Sequence, residues 1–184
     1  LVYVDRVALD FRGYPENNAA RVALTTLYAV ECMPAAGAAA TFHRATPRVR
    51  AYLTDNPSAV AGVVTAQSEL TVGDASVVSI VGAQLAGGAA GTSSVTAAFG
   101  LTTATQELAV STEVALAERI DWDVPSTLSL ETGQTRSTTT GIAFRLPSGG
   151  QLVYSNVRAY GWLDLPSMVA FSSPLAEVID VDGV

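Results

Sequence analysis

The chain has 184 residues, 49% of them hydrophobic and only 15% charged, and its mean hydropathy is +0.33; soluble domains usually carry about 25% charge. Seventeen acids stand against ten bases, a formal charge of −7, and every base is arginine. A lysine-free chain holds no P-loop, a single cysteine (Cys32) forms no internal disulfide, and one cysteine with one histidine (His43) does not fill a usual zinc shell.

The length suits one domain over residues 1–184, large enough to bury a core without a disulfide or metal staple. Leu1 to Phe11 reads as a first strand. With Asp5 and Arg6 inside it, the segment lacks the basic start and unbroken apolar run of a signal peptide, so it is expected to be mature structure. Next, Val22, Leu24, Thr26, Tyr28, Val30 and Cys32 alternate with Arg21, Thr25 and Glu31, the period of two that marks a half-buried strand. Ala19 to Val30 would also suit a short helix, but its alternation and paired threonines favour the strand. The alanine-rich run Pro34 to Thr41 reads as a loop lying on another surface.

Arg48 to Thr54, Ala59 to Thr65, Ser76 to Ala83 and Val95 to Leu101 follow as strands. Leu108, Val110, Thr112, Val114 and Leu116 then oppose Glu107, Ser111 and Glu113, again with period two. Ser126 to Leu130, Thr138 to Leu146, the stretch holding Leu152, Tyr154, Val157, Tyr160 and Trp162, and Leu175 to Val181 complete the series. Turn chemistry separates them: Gly13-Tyr14-Pro15, Asp55-Asn56-Pro57, Gly73-Asp74, Gly87-Gly88, Thr132-Gly133 and Pro147-Ser148-Gly149-Gly150. About ten short strands at hairpin spacing predict an all-β fold, an antiparallel β-sandwich such as a single jelly roll of eight to ten strands.

Between Asp74 and Glu107 no residue is charged, and the centre of that run is Gly, Ala, Ser, Thr and Val. It holds too many glycines and hydroxyls for a membrane-spanning helix. Strands that are buried or face a neighbouring subunit fit it better, and Val95 and Phe99 are the expected contact residues.

The inventory for chemistry is sparse. No G-x-S-x-G elbow supports a serine nucleophile, and nothing local activates Cys32 toward His43. Asp121 with Asp123, and Asp180 with Asp182, each put two carboxylates on one strand face; solvated strand ends are the simpler reading, while with added carbonyls these would suit a structural Ca²⁺ or Mg²⁺ at a subunit contact. Glu107, Glu113, Glu118 and Glu131 offer carboxylates for glycoside chemistry but no spacing that pairs two of them. Arg44, Arg48 and Arg50 form the one cluster of cations, read as a solvated strand edge or a contact to a phosphate or a partner carboxylate. Because the arginines are dispersed along the sequence, direct nucleic-acid binding is not expected. The reading is therefore a protein that is not an enzyme and takes no cofactor beyond such a cation.

A chain of this length with short strands, Gly/Pro turns, no lysine and an acidic balance resembles the small single-jelly-roll major capsid proteins of archaeal and thermophilic icosahedral viruses with an internal membrane. The resemblance rests on size, composition and strand pattern, and it carries over no functional residue. It implies a virion location, contacts with copies of itself and with a second, related coat protein, and proximity to the internal membrane. Two other roles fit the same pattern: a tail-tube, decoration or connector protein of a tailed phage, and a secreted glycan-binding β-sandwich using Trp122, Tyr160 or Trp162.

Overall fold

In a computed structural model the structure describes residues 2–15, 23–30, 40–122 and 139–155. Two sheets face each other across one core, the expected all-β, predominantly antiparallel sandwich. The first sheet runs β1 (Val4–Tyr14), β3 (Arg44–Leu53), β7 (Gln84–Gly87), β6 (Val78–Val81), with β4 (Asn56–Val63) also paired to β3. The second runs β11 (Gln151–Tyr154), β10 (Thr140–Arg145), β9 (Thr102–Trp122), β8 (Gly91–Phe99), β5 (Glu69–Val72). To β9 is added β2 (Thr26–Val30), in parallel. No α-helix occurs among the described residues, and no helix there is long and apolar enough to cross a membrane.

Alternation explains why these segments become strands. Along β1, Val7, Leu9 and Phe11 are buried while Arg6, Ala8, Asp10 and Arg12 point the other way. Along β8, Ser93, Val95 and Ala97 are buried and Ser94, Thr96 and Ala98 face out. A side chain every second residue on each face is what a pleated strand provides. Leu27, Leu85, Leu108 and Phe144 are wholly buried between the sheets and close the core from four different strands.

Two hairpins are set by glycine. Gly82 (φ 61°) joins β6 to β7 and Gly100 (φ 60°) joins β8 to β9, each the first residue of a two-residue loop whose second residue has no positive φ. That combination is the one a type II′ turn uses, and its twist matches the strands it joins. Gly87-Gly88, expected as a turn, instead closes the end of β7, since Val78 pairs with Gly87. The short strands β5 and β7 were outside the expected series, being only four residues each. The expected strands Ser126 to Leu130 and Leu175 to Val181, and most of the alanine-rich run, lie outside the described residues.

Of the expected contact residues, Val95 is 0% exposed and Phe99 is half-buried against the core. Both belong to the inward row of β8, because odd positions of that strand face the opposite sheet, so Val95 contributes packing rather than a surface for a neighbour. Replacing Val95 with Asp should cost more than about 3 kcal/mol by burying an unpaired carboxylate, while Thr96→Asp, one residue on, should change stability by about 0.5 kcal/mol or less. Urea unfolding of the two variants checks the facing of β8.

Candidate functional site

The expected chemical sites come apart when placed in space. Asp121 is exposed near the end of β9, and its two carboxylate oxygens accept hydrogen bonds from Arg119 Nε and Nη2 at 2.7 and 3.0 Å. That fork holds the Asp121 carboxyl below its ordinary pKa. Asp123, Asp180 and Asp182 lie outside the described residues, and among the described residues no group of three potential metal ligands occurs.

Glu118 accepts from Arg145 and from Gln151, which lower its pKa. Asp74 is likewise pushed down, by the hydroxyl and backbone N–H of Ser76 at 2.6 and 2.9 Å. These three carboxylates are thus held ionised, the opposite of what a general acid for glycoside cleavage requires. Glu131, Cys32, Tyr160 and Trp162 are outside the described residues. Tyr154 is wholly buried with its ring edge-on to Phe144 at 5.8 Å, so it is core and no glycan platform.

A cleft of about 160 Å³ opens at one end of the sandwich, where Gly13, Thr25, Leu146, Gly149 and Gln151 meet. It is smaller than the few hundred Å³ of ordinary ligand sites, and among the described residues no charged one lines it.

His43 is 0% exposed between β2 and β3, with the Tyr28 ring tilted beside it at 6.1 Å. Its Nδ1 faces the Arg44 carbonyl at 3.4 Å; since a carbonyl only accepts, that nitrogen bears the proton and Nε2 is a bare lone pair, without a partner among the described residues. Burial pulls the pKa down to about 4, against a smaller upward effect of the Arg44 carbonyl. This imidazole is a neutral core group.

What the fold does assemble is a pair of unlike outer faces. On the first sheet the register sets Arg6 opposite Tyr52, Ala8 opposite Arg50, Asp10 opposite Arg48, Arg12 opposite Thr46 and Tyr14 opposite Arg44. The outward row of β1 and β3 therefore carries five of the ten arginines and a single acid, a net of +4 in a chain of −7. Arg6 lies 3.7 Å over the Tyr52 ring, Arg50 meets Asp10 at 2.7 Å, and Arg44 donates to Gln84 at 3.0 Å. The guanidinium groups of Arg12 and Arg48 make no hydrogen bond or ion pair among the described residues. On β4, Val60 and Val63 extend this face as apolar neighbours of Tyr52 and Arg50.

The cluster Arg44, Arg48 and Arg50, read from sequence as a solvated strand edge or a contact to a phosphate or a partner carboxylate, thus lies on the outward row of a strand interior to its sheet. Cross-strand pairing gathers what chain order disperses; the alternation of arginine with apolar residues in both β1 and β3 was the signal that could have shown it.

The second sheet's outer face is its counterpart. Rows Thr71–Thr96–Thr105, Glu69–Ala98–Thr103 and Ser94–Glu107 follow from the pairing of β5, β8 and β9, and the Thr96 and Thr105 hydroxyls meet at 2.9 Å. Glu69 and Glu107 are its charges, and no cation lies on these rows.

No protein-family model matches the chain, and no curated protein matches it. Among solved structures the chain is similar to surface layer protein SbsC, domains 1–6, at 17% identity and a TM-score of 0.42 over 80% of this chain and 20% of that one. A second structure, of the S-layer protein rSbsC, gives 16% identity and 0.43 over the same shares. The chain spans about a fifth of the length of these neighbours, and a likeness this slight bears on no function.

A neutral buried His43 makes stability depend on pH in a defined window. Its folded pKa is below the ordinary value of 6.5, so the unfolded chain binds the extra proton, and stability should fall by about 3 kcal/mol as pH drops from 6.5 to 4. The carboxylates Asp74, Glu118 and Asp121 add a loss at lower pH only, since their folded pKa values are lowered from about 4. His43→Leu should flatten the 6.5-to-4 limb, read by thermal unfolding across that range; a variant that keeps the wild-type slope would assign the limb to other groups.

Proposed function

We propose that the chain is a structural subunit that associates with copies of itself, and with a related coat protein, into the shell of a virion. The observation that supports this reading most is the outer face of β5, β8 and β9: a patch of Thr, Ser and Ala with Glu69 and Glu107 as its charges. Such short side chains lose little rotamer freedom on contact and allow close packing against a neighbour. Leu101 at the tip of the β8–β9 turn and Val114, Leu116 and Ile120 along β9 add exposed apolar surface to the molecule. Exposed apolar area of that kind is unfavourable for a free monomer and ordinary for a subunit.

Function in this reading is geometry: the sandwich is a brick, and its faces set the angles of a closed lattice. The carboxylates of Asp74, Glu118 and Asp121 are already committed to a turn and to ion pairs, which adds weight to a structural role.

Sedimentation and negative-stain imaging of the purified chain, alone and mixed with a candidate second coat protein, test the proposal. Ordered shells or sheets are expected, tubes or rings would instead favour the phage tail role, and a monomer under all conditions would overturn both. The double substitution Thr96→Arg with Thr105→Arg should abolish association while leaving the melting curve in place, because both positions face outward.

A further inference from the structure

Resting on that assembly reading, we infer that the arginine face of β1 and β3 docks on the threonine face of β5, β8 and β9 of a second copy, Glu69 and Glu107 supplying the opposing charge. The two faces belong to opposite sheets of the sandwich, so the contact is head-to-tail: each copy offers one face and receives the other. A contact of this kind propagates from copy to copy until the rotation between neighbours closes it.

Three features favour a second copy over a flexible polyanion as the occupant. The cationic face is mostly self-committed, with Arg6 stacked on Tyr52, Arg50 paired to Asp10 and Arg44 bonded to Gln84, which among the described residues leaves Arg12 and Arg48 as its open guanidinium groups. Two open cations neutralise few phosphates, whereas polyanion binding draws its strength from releasing many counterions. Val60, Val63, Ala8 and Tyr52 lie among the arginines, and an apolar component of this kind is matched by a folded surface. The chain also supplies the complement itself, a face with two carboxylates and no cation on its rows.

The physical requirement is equally direct. Copies carrying −7 repel one another, and a face of net +4 is the place where that repulsion reverses sign. Arginine is suited to the task, since its planar fork pairs with a carboxylate through two hydrogen bonds.

Charge swapping tests the contact. Arg12→Glu with Arg48→Glu, and separately Glu69→Arg with Glu107→Arg, should each raise the concentration at which the chain associates by at least about tenfold, as like charges brought into contact do. An equimolar mixture of the two variants should recover wild-type association, because each mutated face then meets its new complement. Molar salt should weaken wild-type association as the Debye length shrinks to about 3 Å. Sedimentation velocity reads all of these, with thermal melting to confirm that each variant is folded. If one is not, Arg12→Ala with Arg48→Ala removes the charge without reversing it and carries the same expectation.

Either variant assembling as the wild type does, or a mixture no better than its components, overturns the docking while the assembly reading stands. Normal assembly of the arginine variant together with lost binding to heparin or single-stranded DNA assigns the face to a polyanion and overturns the docking too. A wild-type chain that stays monomeric overturns both readings.

Discussion

The antiparallel register between β1 and β3 is the constraint on which the rest of the molecule depends. It carries the largest share of the first sheet's pairing, from Val4 opposite Leu53 to Tyr14 opposite Arg44. Because facing residues of paired strands share a side, one choice of register sends Val7, Leu9, Phe11, Ala45, Val49 and Ala51 into the core together. The same choice sends every arginine of the two strands outward. A slip by one residue would turn the slipped strand over and put its guanidinium groups, two from β1 or three from β3, between the sheets, a cost no hydrophobic gain offsets.

That constraint links packing to surface chemistry. Placing cations side by side on a sheet costs energy through repulsion, and the face manages it locally: Asp10 sits among the arginines and holds Arg50, and the Tyr52 ring lies beneath Arg6. Tyr52 is only 7% exposed in consequence, shielded by the very cation it supports. The opposite sheet solves a simpler problem. Its outward threonines pair with one another, Thr96 with Thr105, and place two carboxylates among them without any cation to answer. The sandwich therefore has a charge direction that its total of −7 conceals.

Much of this was legible in the sequence, and the parts that were not share one cause. Period-two patterns in Val22 to Cys32 and Leu108 to Leu116, together with the runs Leu1 to Phe11, Arg48 to Thr54 and Val95 to Leu101, identified strands and the all-β class, because alternation is a local property. Strand order, the parallel seat of β2 against β9, and the four-residue strands β5 and β7 were not legible, since partners are chosen by the core and not by neighbours in the chain. Facing was harder still. Val95 and Phe99 were plausible contact residues from composition, yet parity along β8 turns both inward and presents Ser94, Thr96 and Ala98 instead. The arginines illustrate the reverse case, dispersed at positions 6, 12, 44, 48 and 50 in the sequence and adjacent only once two strands pair.

The absence of lysine gains a physical meaning on this surface. A lysine ammonium at position 6 would be a compact, strongly hydrated charge on a flexible stem, poorly suited to lying flat on the Tyr52 ring. At position 50 it would offer Asp10 a point charge in place of a planar fork. Arginine stays charged at any pH the fold survives, so the face keeps its sign while the buried His43 and the carboxylates titrate around it.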